Sequence, residues 1–374
     1  MKIALITRRY PPLVGGAEKA LGYLAAALDR AGAEVVVVTS AIPGRSIATD
    51  PADRPRVIRL PTSRLRFVGT YIYMNNLKKW LYNNDIDIAY VSMLKHDAYV
   101  AVGAGDRRGF PVVLRPEGAG ATGDLAWQKR GRFGATIGGR CRFADAYVSI
   151  SAAIESELVA EGYDRERIHS LPNGVPIPEI AWNPRGASLD GARATFVGRL
   201  AVEKNLEKLV DAWRIVVKRR PGAELTLLGE GPMRVKLEER IRSLDLADSV
   251  RLAGAVENPL IFLKDSDLFV LPSIEEGMSV ALLEAMALGV PIVASAIPGN
   301  RAILEDGVHG WLADPAAPEA LAAAIERSLD DYETSIGLGE AARRRAIERH
   351  SIEAVAQNHL RFFQSIIDQK RKNK

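Results

Sequence analysis

The stretch LFVLPSIEEGMSVALLEAMALGVPIVAS, residues 268–295, carries the strongest structural signal of the chain. Its first residues are apolar up to Pro272, which predicts a short buried strand. The residues from about Ser279 to Leu288 predict a helix, because Ser279 suits an N-cap and Gly289 suits the helix end. Strand, loop and helix in this order predict a parallel α/β sheet.

Carboxylates interrupt this apolar stretch only at Glu275, Glu276 and Glu284. Glu276 and Glu284 would be about 80° apart on one helix, so they are not a pair on one helix face. Glu276 instead precedes the helix, whose N-terminus favours anions such as diphosphates. Glu284, about one turn inside the helix, can reach the ribose of a bound nucleotide. The alternative interpretation is that Glu284 forms a structural ion pair and that Glu276 is a loop residue without a function.

The whole chain of 374 residues exceeds one typical hydrophobic core, and short β-branched runs alternate with helical patterns throughout. This predicts an α/β protein of two Rossmann-like, doubly wound parallel-sheet domains that face a central cleft, the default ligand site. The predicted domains are residues 1–175 and 193–350, joined by a Pro-, Gly- and Asn-rich linker at 176–192. A C-terminal helix and basic tail, residues 351–374, can pack back on the N-terminal domain, although helical periodicity does not identify the domain it covers.

Composition excludes several function classes. The single cysteine, Cys141, cannot form an internal disulfide, and no Cys and His cluster predicts a metal site. No signal-peptide pattern and no run of about 18 apolar residues occurs, so the prediction is a cytoplasmic protein.

Charge is distributed unevenly along the chain. Lys and Arg number 22 against 11 Asp and Glu in residues 1–142, and 28 against 35 in the remainder. The basic front half suits an anionic membrane, nucleic acid or phosphorylated substrate, and a solvated basic face is the plainer alternative.

Several motifs occur in a fixed order along the chain. EGMSVALLE is followed by AMALGVPIVAS and EDGVHGWLADP and preceded by FVGRLAVEKN, LLGEGP and LFVLPS, while the first half contains PPLVGGAEK and LPNGV. Over nearly its whole length the sequence resembles the retaining glycosyltransferases of family 4, which have the GT-B fold. EGMSVALLE is similar to the E-x7-E signature of that family. Together, and in order, these motifs are specific, although each alone is weak.

The resemblance implies roles for individual residues. The first Glu of the signature, Glu276, would contact the donor sugar, and the second, Glu284, the nucleotide ribose. Arg199 and Lys204 would neutralise the diphosphate leaving group without a metal or other cofactor. A turn Arg and a surface Lys are the plain alternative for these two. The loop amides that would hold the diphosphate and sugar belong to Gly277, Met278, Ser279 and Val280.

The first half supplies further candidates. Gly15 and Gly16 lie in the first βα loop, which family members use beside the donor, and a flexible loop is the alternative. The His that the family commonly has near the reaction centre is missing, because Glu117 occupies the region after FPVVLR. Glu117 is flanked by glycines and is a candidate for binding acceptor hydroxyls or assisting proton loss. His96, which follows the preceding strand, faces acceptor or donor, or is an ordinary surface histidine.

The resemblance implies retaining transfer of a sugar from a nucleoside diphosphate to a hydroxyl of a sugar, lipid-linked or small-molecule acceptor, without nucleic acid as a partner. The sequence does not choose among UDP, GDP and ADP. One alternative is a nucleotide-sugar epimerase or a phosphorylase on the same architecture. The other is a non-catalytic subunit that binds nucleotide sugars.

Residues 63–84, SRLRFVGTYIYMNNLKKWLYNN, mix basic and aromatic side chains. This composition is typical of a surface that contacts a membrane interface. The ordinary alternative is a helix packed on the core with a solvated edge. With the basic front half, the segment supports a peripheral membrane contact at the cytoplasmic face through the N-terminal domain.

Overall fold

A computed structural model describes residues 1–13, 15–42, 44, 55–184 and 191–372. The chain divides into two compact units, of which the first combines Met1–Gly174 with Ile352–Lys374 and the second is Val175–Ser351. The predicted linker begins inside the second unit, where Trp182 is buried and donates from its indole nitrogen to the carbonyl oxygen of Ser266 at 2.7 Å. Residues 185–190 of that linker and residues 373–374 of the basic tail lie outside the described residues.

The first unit is built on a seven-stranded sheet whose described strand pairs are all parallel. Its strands, in chain order, are β1 (Lys2–Ile6), β2 (Glu34–Ser40), β3 (Arg56–Leu60), β4 (Ile88–Ser92), β5 (Val112–Arg115), β6 (Ala146–Ser149) and β7 (Ile168–Ser170). Its first helices are α1 (Gly16–Arg30), α2 (Arg66–Asn83), α3 (His96–Arg108), α4 (Asp124–Arg130), α5 (Gly134–Cys141) and α6 (Ala152–Ala160). The strand order is β3-β2-β1-β4-β5-β6-β7, which reverses direction between β1 and β4.

The second unit repeats this design with six strands. They are β8 (Arg193–Val197), β9 (Glu224–Leu228), β10 (Val250–Gly254), β11 (Leu268–Leu271), β12 (Ile292–Ser295) and β13 (Trp311–Ala313). Its helices are α7 (Leu206–Arg219), α8 (Arg234–Ser243), α9 (Leu260–Lys264), α10 (Val280–Leu288), α11 (Pro298–Arg301), α12 (Pro318–Asp330) and α13 (Tyr332–His350). The order β10-β9-β8-β11-β12-β13 reverses between β8 and β11. The predicted pair of doubly wound parallel-sheet domains is confirmed.

The last helix, α14 (Ile352–Lys372), returns to the first unit. Its residues Val355 and Phe363 are buried with Leu5 of β1 and Leu24 of α1 in one hydrophobic cluster. Burial of such side chains contributes about 1.5–3 kcal/mol each, so α14 is part of the core of the first unit. Among the described residues, no helix combines the length and hydrophobicity that crossing a membrane requires.

Local sequence explains where the helices near the candidate site begin and end. The Ser279 hydroxyl caps α10 by accepting a hydrogen bond from the amide of Leu282 at 3.4 Å. The helix ends at Gly289, whose φ of 91° lies in the left-handed region that glycine adopts without strain. The predicted helix from about Ser279 to Leu288 is therefore confirmed, and Glu276 precedes it on a loop.

Candidate functional site

Two loops of the second unit meet where its strand order reverses. They follow the neighbouring strands β8 and β11, and the amide of Ile274 in the second loop donates to the carbonyl oxygen of Glu203 in the first at 2.9 Å. The side-chain amide of Asn205 adds a hydrogen bond of 3.1 Å to the carbonyl oxygen of Pro272. Asn205 itself has a φ of 56°, a conformation that asparagine tolerates better than most residues. In doubly wound sheets this reversal is where ligands bind.

Lys204 and Glu276, one from each loop, form an ion pair. Lys204 Nζ donates to Glu276 Oε1 at 2.6 Å, and the Ser273 hydroxyl donates to the same oxygen at 2.8 Å. The side chains of Lys204 and Glu276 are 18% and 9% exposed. The structure therefore unites two residues that the sequence analysis assigned to one site, and it adds Ser273, which the sequence analysis missed.

Buried hydrogen bonds from Ser295 and Asn300 hold the loop that contains Glu276. The hydroxyl of Ser295, at the end of β12, donates to the carbonyl oxygen of Ser273. The side-chain amide of Asn300 donates to the carbonyl and hydroxyl oxygens of Ser295 at 2.9 and 3.0 Å. A Cβ atom on Gly299 would lie 2.3 Å from the carbonyl oxygen of Glu276, so only glycine fits there. Packing against α11 thus fixes the position of Glu276.

The N-terminus of α10 lies directly after this loop. Gly277 and Met278 connect Glu276 to the capping residue Ser279, and Val280 is the first residue of the helix. The first amides of a helix have no partner within the helix and carry a partial positive charge, which suits a diphosphate. Glu284 lies in the second turn and is buried. This segment therefore supplies a helix N-terminus that can bind an anion, with the Glu276 carboxylate before it and the Glu284 carboxylate inside the helix.

Arg199, the other predicted cation, has a different environment from Lys204. It donates a hydrogen bond to Glu203 Oε1, and its side chain is 63% exposed. Burial alone would raise the pKa of Glu203, but hydrogen bonds from its own backbone amide and from Arg199 outweigh burial and lower that pKa. Arg199 is therefore held by a carboxylate of its own loop, while Lys204 contacts the predicted sugar-binding carboxylate.

In the first unit, Gly15 and Gly16 begin α1 after β1. A Cβ atom on Gly15 would lie 2.0 Å from Glu18 Oε2, whereas one on Gly16 would meet no atom within 4 Å. Glu18 is buried and pairs with Arg9, whose Nε lies 3.0 Å from Glu18 Oε1. Gly15 thus makes room for the buried Glu18 carboxylate, a requirement that the sequence analysis did not anticipate.

His96 is the first residue of α3, near the carboxyl end of β4. Its ring packs edge-on against Trp127, with centroids 5.4 Å apart. Burial, and to a smaller extent the positive charges of Arg8 and Lys95, lower the pKa of His96, so the neutral ring is favoured. The structure places His96 as a half-buried neutral histidine beside cationic side chains.

Asp97, the next residue, was missed by the sequence analysis. It is buried, and the hydroxyl of Tyr73 lies 3.5 Å from Asp97 Oδ2. Burial raises the pKa of Asp97 to about 6, although the nearby Arg8 opposes the shift. A perturbed carboxylate at the carboxyl edge of a parallel sheet is a common feature of functional sites. Its position directly after His96 was the only signal in the sequence.

The Glu117 side chain is only 8% exposed, although Gly118 and Gly120 follow it in the sequence. The Ser92 hydroxyl donates to Glu117 Oε1 at 2.6 Å, and Arg115 Nη1 donates to the same oxygen. The backbone amide of Glu117 donates to Asp124 Oδ2 at 2.8 Å. Burial raises the pKa of Glu117 despite the opposing charge of Arg115. Its carboxylate is thus fixed by Ser92 and Arg115, and its part in binding an acceptor stays a prediction.

Within the described part of the chain, no group of three or more His, Cys, Asp or Glu side chains is arranged to hold a metal ion. Cys141 is buried, and burial raises the pKa of its thiol to about 12. This thiol is therefore protonated at neutral pH and a poor nucleophile.

Sequence comparisons identify both halves of the chain. The family described as Glycosyl transferases group 1 matches residues 183–345, and Glycosyltransferase Family 4 matches residues 14–178. The chain is 34% identical over 186 residues to the amylovoran biosynthesis glycosyltransferase AmsK of Erwinia amylovora, covering 48% of this chain and 46% of AmsK. This match thus spans about half the length of that relative. The glycogen synthase of Mycobacterium tuberculosis is 25% identical over 388 residues, covering 95% of this chain and 92% of the synthase.

Solved structures share the fold over the full length. Sucrose-phosphate synthase of Thermosynechococcus elongatus has a TM-score of 0.81 at 22% identity, covering 98% of this chain and 99% of that one. Anabaena Alr3699/HepE, solved in complex with UDP-glucose, has a TM-score of 0.80 at 20% identity, covering 98% and 100%. The two Rossmann-like domains thus define a protein of the GT-B fold. The chain belongs to the family 4, group 1 glycosyltransferases.

Proposed function

We propose that this chain transfers a sugar from a nucleoside diphosphate to an acceptor hydroxyl, with retention of the anomeric configuration and without a metal ion. The observation that carries the proposal is the Lys204–Glu276 ion pair beside the N-terminus of α10, where the strand order of the second unit reverses. A cation, an orienting carboxylate and helix amides are the groups that a metal-independent diphosphate site requires.

The donor would lie along the segment from Glu276 to Glu284. The amides around the start of α10 would hold the diphosphate, and Glu284 would accept hydrogen bonds from the ribose hydroxyls. Glu276 would accept from a sugar hydroxyl, in the position that Ser273 and Lys204 fix. UDP-glucose in the structurally similar HepE supports a nucleotide-sugar donor.

The chemical step breaks the bond between the anomeric carbon and the diphosphate oxygen, and a bond from the acceptor oxygen to that carbon forms on the same face. Negative charge grows on the departing diphosphate, and Lys204, together with Arg199, would stabilise it. The acceptor hydroxyl loses its proton to the departing phosphate. This route needs neither a side-chain nucleophile nor a metal ion.

In this proposal, residues of the first unit contact the acceptor. His96 and Glu117 both follow strands at the carboxyl edge of its sheet, and His96 adjoins the strand-order reversal at β4. A neutral His96 accepts or donates one hydrogen bond to a hydroxyl, while the Glu117 carboxylate accepts. These groups suit the hydroxyls of a sugar, a lipid-linked sugar or a small polyol.

The test is release of nucleoside diphosphate by the purified chain, with a panel of nucleotide sugars and acceptors. Transfer predicts release that depends on the acceptor, persists in EDTA, and gives a product whose anomeric proton shows the donor configuration by NMR. Epimerised nucleotide sugar would favour the epimerase alternative. Donor binding by thermal shift without turnover on any acceptor would favour a binding subunit. Loss of activity in EDTA that Mg²⁺ restores would contradict metal independence.

A further inference from the structure

A run of apolar side chains is exposed where α2 begins. Phe67 and Tyr71, one helical turn apart, are 75% and 72% exposed, and Leu65 and Val68 are exposed beside them. These are four large hydrophobic residues within seven positions, whereas exposed apolar residues elsewhere in the described chain are more scattered. Single exposed apolar residues are ordinary, but a contiguous group indicates an interaction surface.

The opposite face of α2 is buried. Tyr73, Leu77 and Leu81 are fully buried, so the helix already packs normally on the first unit. The exposed face continues from Phe67 and Tyr71 to the ammonium groups of Lys78 and Lys79 two turns later. The exposed side of α2 therefore carries apolar side chains at its start and cationic side chains further along, so both kinds are accessible from one surface.

A groove of about 740 Å³ extends from this helix across α3 and α5. Besides Tyr71 and Lys78, its walls include Arg107, Arg140 and Phe143. Phe143 is 78% exposed. With Lys370, four cationic side chains line the groove beside these exposed aromatic rings, which suits an amphiphile with a negatively charged head group.

The acidic side chains of the groove do not cancel this charge. They are Asp106 and Asp145, and Asp145 pairs with Lys370 at 2.7 Å. The first unit as a whole carries 29 Lys and Arg against 19 Asp and Glu, while the second carries 21 against 27. The exposed apolar group therefore lies on the basic unit. Charge favours an anionic surface over a neutral one.

We propose that this surface docks on a lipid bilayer that contains anionic phospholipid. We call it the interfacial face and define it by its apolar residues Phe67, Tyr71 and Phe143 and its cationic residues Lys78, Arg107 and Arg140. The apolar side chains enter the headgroup boundary, and the cationic ones contact lipid phosphates. Docking does not depend on the proposed sugar transfer, and it would bring the chain to acceptors held in a membrane.

Co-sedimentation with vesicles at low salt tests the proposal, since surface electrostatics are least screened there. Vesicles of phosphatidylcholine with phosphatidylglycerol should bind the chain, vesicles of phosphatidylcholine alone should not, and added salt should release it. The double variants Phe67→Ser/Tyr71→Ser and Lys78→Glu/Arg107→Glu should each lower the bound fraction at least about tenfold. The matched control is Val235→Ser/Ile261→Ser, which removes two exposed apolar side chains from the second unit and should bind like wild type.

Several outcomes would overturn the proposal. One is absence of binding to anionic vesicles, and another is equal binding to neutral and anionic ones. A third is unchanged binding in both interfacial variants while circular dichroism shows them folded. A dimer in sedimentation velocity that Phe67→Ser/Tyr71→Ser dissociates would assign the face to a second copy of the chain. Binding of soluble glycerol phosphate without vesicle binding would assign the groove to a free anion.

Discussion

Lys204 Nζ lies 2.6 Å from Glu276 Oε1, although the two residues are separated by 72 positions and belong to different βα loops. Parallel neighbouring strands β8 and β11 bring those loops to one edge of the sheet. The ion pair is therefore a product of strand order. It places a cation beside the carboxylate that family resemblance assigns to the donor sugar.

The two glutamates of the signature should have separable effects. Glu276→Gln is expected to lower kcat by about two orders of magnitude with little change in nucleotide affinity, because its sugar contact strengthens as charge develops. Glu284→Gln should chiefly weaken binding of the nucleoside diphosphate. Steady-state kinetics and isothermal titration calorimetry measure the two effects. The control is Glu275→Gln, a variant at the neighbouring loop position, which has no assigned role. Wild-type turnover in Glu276→Gln would show that Glu276 does not contact the donor sugar.

Lys204→Ala should lower kcat/KM by about 100-fold or more, because the leaving diphosphate loses a nearby cation in the transition state. Arg199→Ala should also slow transfer, with a smaller loss, because its exposed guanidinium is screened by solvent. Release of nucleoside diphosphate measures both, and melting temperatures should change little. Lys236→Ala, an exposed lysine of α8, is the control. Full activity of Lys204→Ala would exclude Lys204 from the site.

Gly299→Ala tests whether α11 positions Glu276. The added methyl group would lie 2.3 Å from the Glu276 carbonyl oxygen, so the loop that contains Glu276 must shift. The expected result is a fall in kcat of at least about tenfold, since small misplacements at a reacting centre are costly. Gly337→Ala, in α13, meets no atom within 4 Å and should keep activity while stabilising the chain by up to about 1 kcal/mol. Equal activity of both variants would contradict the positioning role.

His359 should make the first unit sensitive to acid. Burial lowers its pKa from 6.5 to about 4, because protonation would place a charge in the core. Its Nδ1 lies 2.8 Å from the Val355 carbonyl oxygen, which only accepts, so Nε2 accepts from the Tyr90 hydroxyl at 3.3 Å. The unfolded chain binds the proton more tightly between pH 6.5 and 4, so the free energy of unfolding should fall by up to about 3 kcal/mol as pH drops through this range.

Urea unfolding of wild type and His359→Leu at several pH values measures this contribution. The variant should be less stable at pH 7, where the Tyr90 hydroxyl loses its acceptor, and should lose less stability below pH 6.5. Protonation of Asp97 in the same pH range has the opposite effect on the free energy of unfolding, because its raised pKa makes the folded state hold the proton more tightly. Comparing variant with wild type cancels that contribution. Parallel pH dependences of the two proteins would contradict the assignment to His359.

Much of the fold follows from local patterns. The apolar runs at β8, β9 and β11, and the capping serine and terminal glycine of α10, predict strands and a helix close to the observed bounds. The short strands β3, β7 and β13 were not predicted. β3 and β7 are partly exposed, β13 has only three residues, and none of the three provides a clear periodicity.

The candidate site was only partly predictable. Glu276 and Ser279 were found from the strand, loop and helix pattern, and Lys204 was found because a family motif marks it. Ser273 and Asn300 were missed, since neither residue type nor spacing indicates that Asn300 holds Ser295, which in turn holds the loop of Ser273. Glu117 became a candidate because glycines follow it at the end of a strand, but the sequence did not show that Arg115 and Ser92 hold its carboxylate.

Three properties follow from the amino-acid sequence without a structure. They are the alternation of strands and helices, the position of the α10 N-terminus after Glu276 and the membership of the family. These properties depend on residues near one another in the chain or on ordered motifs. The folded structure was needed to show that Lys204 contacts Glu276, that Phe67 and Tyr71 are exposed, and that α14 packs in the core of the first unit. Such contacts depend on strand order and side-chain packing between distant segments, and hydrophobic periodicity contains no information about partners so far apart.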